Sequence, residues 1–216
     1  MLILHYTGMQ SAQAAIDRLR DPAARVSSHY VVDEAGGVFR LVPEARRAWH
    51  AGVSYWRGRR WLNDVSVGIE IVNPGHEWGY RAFPAAQMDA VTSLSQAIIA
   101  RHGIAPIDVV GHSDVAPTRK QDPGELFDWP GLAAAGVGLW PGGAGEGQGE
   151  ADWSEARARQ ALGEVGYDVA DETGAGLAAV VTAFQRHWRP EAVTGVADAG
   201  TVLRLARLLA MVRPNA

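Results

Sequence analysis

Short runs rich in β-branched and aromatic residues punctuate the first 140 positions: Leu2 to Tyr6, Tyr30 to Asp33, Val38 to Val42, Val65 to Val72 and Ile107 to Val110. Apolar runs of this length predict strands, and Glu34-Ala35-Gly36-Gly37 predicts a hairpin turn between the second and the third. Elsewhere the period changes. After Pro84, residues Met88, Val91, Leu94, Ile98 and Ile99 recur at helical spacing until His102-Gly103 closes the helix. A weaker helix is predicted from about Ser11 to Arg20. Strands with interspersed helices predict an α/β domain built on a mixed β-sheet flanked by helices.

From Pro141 to Glu150 the pattern disappears into Pro-Gly-Gly-Ala-Gly-Glu-Gly-Gln-Gly-Glu. Such a stretch buries no apolar surface and as a free coil spans ~17 Å. It predicts a linker over 141–150 between a first domain, 1–140, and a second, 151–216. The second reads as all-α with three helices. Ser154 caps one that turns Ala158, Ala161, Leu162 and Val165 inward, Leu177, Val180, Val181 and Phe184 mark another, and Val202, Leu205, Leu208, Leu209 and Val212 mark a third after Asp198.

Composition narrows the function. The 216 residues carry a net charge of −4, without the excess of clustered Lys and Arg that nucleic acid requires. There is no cysteine, so disulfides, thiolate metal sites and Cys nucleophiles are excluded, and any metal must be held by His and carboxylate. No apolar run approaches the ~20 residues of a membrane helix. Met1 to His5 lacks the basic start and small-residue cleavage site of a signal peptide. It reads as a core strand that begins abruptly, which leaves room for a segment upstream.

The candidate chemistry gathers where strands end. His5 interrupts the apolar run Leu2-Ile3-Leu4, and His112 follows the run Ile107 to Val110. Polar residues at the rim of a rigid sheet are where catalytic groups usually sit. With Asp122 these histidines would supply two neutral nitrogens and one carboxylate, a donor set that leaves zinc an open position for water. Spacing does not prove that they converge, and a lone strand histidine is as readily a hydrogen-bonded core residue. Glu70 lies within Val67-Gly68-Ile69-Glu70-Ile71-Val72; burying it costs several kcal/mol unless it is paired or protonated, which marks it as functional. Alternation also permits an outward, solvated Glu70, opposite Ile69 and Ile71. Of the other histidines, His102 is predicted to interact with its helix C-terminus, and His187 to be a surface or packing residue.

Five blocks occur in order: Leu4-His5-Tyr6-Thr7; Ser28-His29-Tyr30; Ala48-Trp49-His50-Ala51-Gly52; Asn63 with Ser66-Val67-Gly68-Ile69-Glu70; and Gly111-His112-Ser113-Asp114 through Lys120-Gln121-Asp122-Pro123-Gly124. Together they resemble the zinc-dependent N-acetylmuramoyl-L-alanine amidases of the type-2 amidase family, over about residues 1 to 140. The resemblance implies a mixed β-sheet flanked by helices and one zinc ion per chain, held by His5, His112 and Asp122. It makes Glu70 the catalytic glutamate and Lys120 the basic residue near the scissile carbonyl. The implied substrate is peptidoglycan or a muropeptide, cut between N-acetylmuramic acid and the L-Ala of the stem peptide. Trp49, His50 and Asn63 are expected to contact substrate, with loop packing as their alternative. His29 is expected to orient the site, and Arg119 and Asp114 to touch the peptide or brace the loop.

The tail, with Ala161-Leu162-Gly163-Glu164-Val165-Gly166-Tyr167 and Ala183-Phe184-Gln185-Arg186, resembles a three-helix peptidoglycan-binding module. It departs from that module at Val193 to Gly200, where the Asp-Gly and Gly-Pro turn elements are missing. A wall-binding tail implies a periplasmic or envelope-associated enzyme, with the cytoplasm as the alternative. Two rival functions remain: recognition of peptidoglycan without cleavage, disfavoured by the full donor set, and a zinc peptidase cutting within the stem peptide.

Overall fold

The computed structural model describes residues 1–142, 153–170 and 174–213. Among them run strands β1 (Leu2–Tyr6), β2 (Tyr30–Val32), β3 (Val38–Arg40), β4 (Tyr55–Trp56), β5 (Arg59–Arg60), β6 (Val67–Ile71) and β7 (Val109–Gly111). The α-helices are α1 (Ala12–Arg20), α2 (Gly75–Trp78), α3 (Ala85–His102), α4 (His112–Val115), α5 (Trp129–Ala134), α6 (Glu155–Val165), α7 (Gly174–Trp188) and α8 (Ala199–Val212).

Five strands form one mixed sheet in the order β3-β2-β6-β1-β7. β2, β6, β1 and β7 are mutually parallel, and only the edge strand β3 runs antiparallel, through the predicted hairpin. Alternation sorts the side chains. Leu2, Leu4, Val67, Ile69, Ile71 and Val109 pack on one face with Val91 and Ile98 of α3. Helix α3 ends as its sequence predicts, with Gly103 at φ 60° donating its N–H to Ile99 O. The opposite face carries Ile3, His5, Glu70 and Val110. Glu70 thus points away from Ile69 and Ile71, as alternation allows, but into a cleft rather than into bulk solvent.

The three C-terminal helices follow the sequence pattern, capped by Ser154 and Asp198, whose side chains accept from Arg157 N and Thr201 N. They lie against the second face of the sheet. Leu162, Val165, Tyr167, Val180, Phe184, Trp188 and Leu208 form one buried cluster with Ile3, Val110, Ala51, Leu62 and Val115. The two parts of the chain therefore share a core. Most of the expected linker, positions 143–150, lies outside the described residues.

Several expectations change in detail. Ile107 sits in a 3-10 turn (Pro106–Asp108) ahead of β7, and Val65 and Ser66 precede β6 rather than belonging to it. The β4–β5 hairpin was not predicted. Its two-residue turn, Arg57-Gly58, has positive φ at both positions, which Asn-Gly rather than Arg-Gly normally signals. The hairpin grips the C-terminal unit: Arg57 N–H donates to Gly166 O, and Trp56 meets the Tyr167 ring edge-on at 5.1 Å. His102 sits in the last turn of its helix, and its Nε2, with the Arg101 guanidinium, binds the Glu44 carboxylate.

Candidate metal centre

Sheet order brings together residues far apart in sequence. His5 is in register with Glu70 on the adjacent strand β6, and Leu4 with Gly111 on β7, so His112 follows directly beside His5. All three sit at the C-terminal ends of neighbouring parallel strands, where ligands of such sheets bind. Asp122 completes the group from the following loop, tied back by Ser113 N–H donating to Asp122 O.

His5 Nδ1, His112 Nδ1 and Asp122 Oδ2 form a triangle with sides of 2.9, 3.0 and 3.1 Å. Each residue is at least 94% buried. Donors of a tetrahedral ion with bonds of ~2.0–2.1 Å lie ~3.3 Å apart, so the triangle has the size of a metal site.

Hydrogen bonds behind the triangle fix its tautomers. His112 Nε2 faces the carbonyl of Ala51, so it carries the proton and Nδ1 keeps its lone pair. Ser66 Oγ–H donates to Leu62 O and therefore accepts from His50 Nε2–H. His50 is kept neutral, its pKa pushed well below the usual value by burial and by His5. Its Nδ1 then accepts from His5 Nε2–H, which leaves a lone pair on His5 Nδ1 as well. Burial, reinforced by His112, lowers the His5 pKa to about 4. Burial opposes ionisation of Asp122, but His112 and His5 outweigh it and hold the carboxyl well below its usual range. With both imidazoles neutral, two ring nitrogens and one carboxylate oxygen converge and can each present a lone pair. That is a site for a cation, with the outer hydrogen bonds that orient ligating histidines.

His50 therefore stands behind His5, although one edge reaches the cleft. Gly68 makes room for it: a Cβ there would lie 2.6 Å from His50 Cγ and Nδ1. Gly68→Ala is expected to displace the ring, destabilise the protein by about 1–3 kcal/mol and weaken metal binding, checked by thermal unfolding with and without metal. His29 is structural, as expected; its Nδ1 accepts from Gly68 N–H and its Nε2 donates to Arg46 O.

Beside the triangle opens a cleft of about 500 Å³ lined by Tyr6, Trp49, Glu70, Arg119 and Lys120, among others. Trp49 stands 51% exposed on its rim, under the Arg47 guanidinium. Asn63 is not brought to the cleft. It is buried, and its Oδ1 accepts from His50 N and Ala51 N, bracing the loop under the site. Arg119 is likewise a brace, its guanidinium donating to the carbonyls of Ala51 and Val53. Tyr6 in the cleft wall, hydrogen-bonded to His76, was not foreseen.

Burial and the Asp122 charge push the Glu70 pKa well above the usual carboxylate value, with Lys120 partly offsetting them. The folded state holds this proton more tightly than the unfolded chain, so the metal-free protein loses stability as pH rises from about 4.5 towards the raised pKa. Glu70→Gln should raise the melting temperature of the metal-free protein at pH 8 by a few degrees, each kcal/mol being worth about 2–4 °C at this size. The gain should vanish near pH 4.

Residues 1–125 match the family model for N-acetylmuramoyl-L-alanine amidase. The chain belongs to this amidase family. The matched span contains all five residues of the predicted centre, His5, Glu70, His112, Lys120 and Asp122. The chain is 39% identical over 221 residues to N-acetylmuramoyl-L-alanine amidase AmiD of Escherichia coli (strain K12), covering 93% of this chain and 79% of that protein. The structure is similar to that of AmiD from E. coli in complex with anhydro-N-acetylmuramic acid-L-Ala-D-γ-Glu-L-Lys, at TM-score 0.89 and 38% identity over 98% of this chain and 89% of the other. It is also similar to AmpDh3 from Pseudomonas aeruginosa in complex with anhydromuramic pentapeptide, at TM-score 0.85 and 34% identity over 97% and 89%. Both similarities extend across the C-terminal helices, beyond residue 125 where the family match ends. No described helix is long and apolar enough to cross a membrane.

Proposed function

We propose that this chain hydrolyses the amide between the lactyl group of N-acetylmuramic acid and the L-Ala of the stem peptide, in peptidoglycan or its soluble fragments, with zinc held by His5, His112 and Asp122. The observation that carries this reading is the buried triangle of acceptors beside Glu70, at the floor of an open cleft. AmiD and AmpDh3, whose ligands are anhydromuramyl peptides, support the substrate class.

Zinc bound there would supply a Lewis acid and lower the pKa of its water towards about 7. The chain does the rest. Glu70, its pKa raised above the usual carboxylate range by burial and the Asp122 charge, accepts a proton from the attacking water and returns it to the departing amine of L-Ala. Lys120, in the cleft wall, stabilises the negative charge that develops on the carbonyl oxygen. Trp49 offers an exposed indole to the substrate at the rim. A C-terminal unit that resembles a wall-binding module supports action at the cell envelope.

The test is digestion of purified peptidoglycan and of a muropeptide before and after chelation, followed by zinc readdition. Stem peptides with a free L-Ala amine should appear, vanish on chelation and return with zinc. Full activity in the chelated protein would refute the metal assignment.

A further inference from the structure

The strongest polar feature outside the cleft lies between the C-terminal helices and the loop that carries two of the three ligands. Asp114, two residues after His112, is 1% exposed, and its carboxylate accepts three hydrogen bonds. One comes from Gly111 N–H at 2.7 Å, the backbone just before His112. The other two come from the C-terminal unit: Tyr167 Oη–H to Oδ1 at 2.6 Å and His187 Nδ1–H to Oδ2 at 2.6 Å. The His187 ring is itself fixed, stacked at 3.6 Å between Trp129 of α5 and its neighbour Trp188. Trp188 Nε1–H donates to the Tyr167 oxygen and closes the network.

The adjacent residue of α7 holds the other end of the same loop. Arg186 donates to Gln121 Oε1 at 3.1 Å, next to Asp122, and its Nε lies 3.4 Å from Glu125 Oε2. Consecutive residues of one helix thus grip a loop at Asp114 and at Gln121, and the segment between them contains Lys120. A module that only tethered the enzyme to its substrate would need neither a fully buried carboxylate nor aromatic walls around its partner.

We propose that the C-terminal helical unit is a positioning element of the metal site: His187 and Tyr167, through Asp114, and Arg186, through Gln121 and Glu125, hold the loop bearing His112, Lys120 and Asp122 in its ligating form. This rests on the reading of His5, His112 and Asp122 as the metal site. Without the clamp, Asp114 keeps only the Gly111 N–H among these three partners, and a buried carboxylate short of donors must move to water. His112 would move with it, since Asp114 and His112 share one short helix capped at Gly111.

The test uses the full chain and the variants His187→Ala, His187→Asn, Tyr167→Phe and Arg186→Ala. Zinc affinity is measured by competition with a chromophoric chelator, the ligand field by the visible spectrum of the cobalt-substituted protein, and kcat and KM on a muropeptide. His187→Ala and Tyr167→Phe should weaken zinc binding by up to about 10-fold, the low end of what direct partners of metal ligands are worth, because they act through Asp114. They should also alter the cobalt spectrum and lower kcat with KM nearly unchanged. Arg186→Ala should do the same to a smaller degree. His187→Asn, whose amide nitrogen takes the place of Nδ1, should recover much of the affinity. Wild-type zinc affinity and cobalt spectrum in folded His187→Ala would overturn the proposal. If that variant does not fold, the same result in Tyr167→Phe, which loses a single hydroxyl, overturns it. Failure of the wild-type chain to bind zinc would instead refute the metal site on which the clamp depends.

Discussion

Glu70→Gln is expected to lower kcat by about 10²–10⁴, the usual worth of a general acid–base group, while one zinc ion per chain remains bound. The expectation follows from position. Glu70 lies on β6 in register with His5, so it reaches the same pocket floor, yet it is absent from the converging donor triangle. An amide at this position keeps the shape and removes the base. Its metal content, measured by atomic absorption beside steady-state kinetics, separates the two roles: zinc lost together with activity would make Glu70 a ligand or a structural residue.

Asp122→Ala is expected to abolish both zinc binding and activity, with an affinity loss beyond the 10–100-fold that outer partners are worth. The carboxylate is the sole anion of the triangle and touches both imidazoles, at 3.1 and 3.0 Å. Its removal leaves two neutral nitrogens, one short of the three protein ligands of a catalytic zinc site. Titration with zinc followed by calorimetry should show no saturable site. Binding at wild-type affinity would place the metal elsewhere.

The strands and helices that position these groups were legible because burial imposes period 2 on the sheet and a helical period on α3, α6, α7 and α8. The donor types were legible as well, since His5, Glu70 and His112 each break an apolar run. Their convergence was not, because 107 residues separate His5 from His112 and only the strand order β6-β1-β7 makes them neighbours. The family resemblance supplied what spacing lacked. His50 and Asn63 were expected to contact substrate, with loop packing as the alternative; the folded sheet instead seats His50 over the bare patch at Gly68, bonded to His5, and ties Asn63 to the loop backbone. The clamp was not legible either. His187 follows Gln185 and Arg186 and was expected as a surface or packing residue; only the fold brings it to Asp114.

The most direct test of the central claim is hydrolysis of a defined anhydromuramyl tripeptide in oxygen-18 water by the zinc-loaded protein, with the products weighed by mass spectrometry. The account predicts one oxygen-18 in the lactyl carboxylate of the sugar product and an unlabelled peptide that begins with a free L-Ala amine. Label in a carboxylate within the peptide, or an intact substrate, would contradict it.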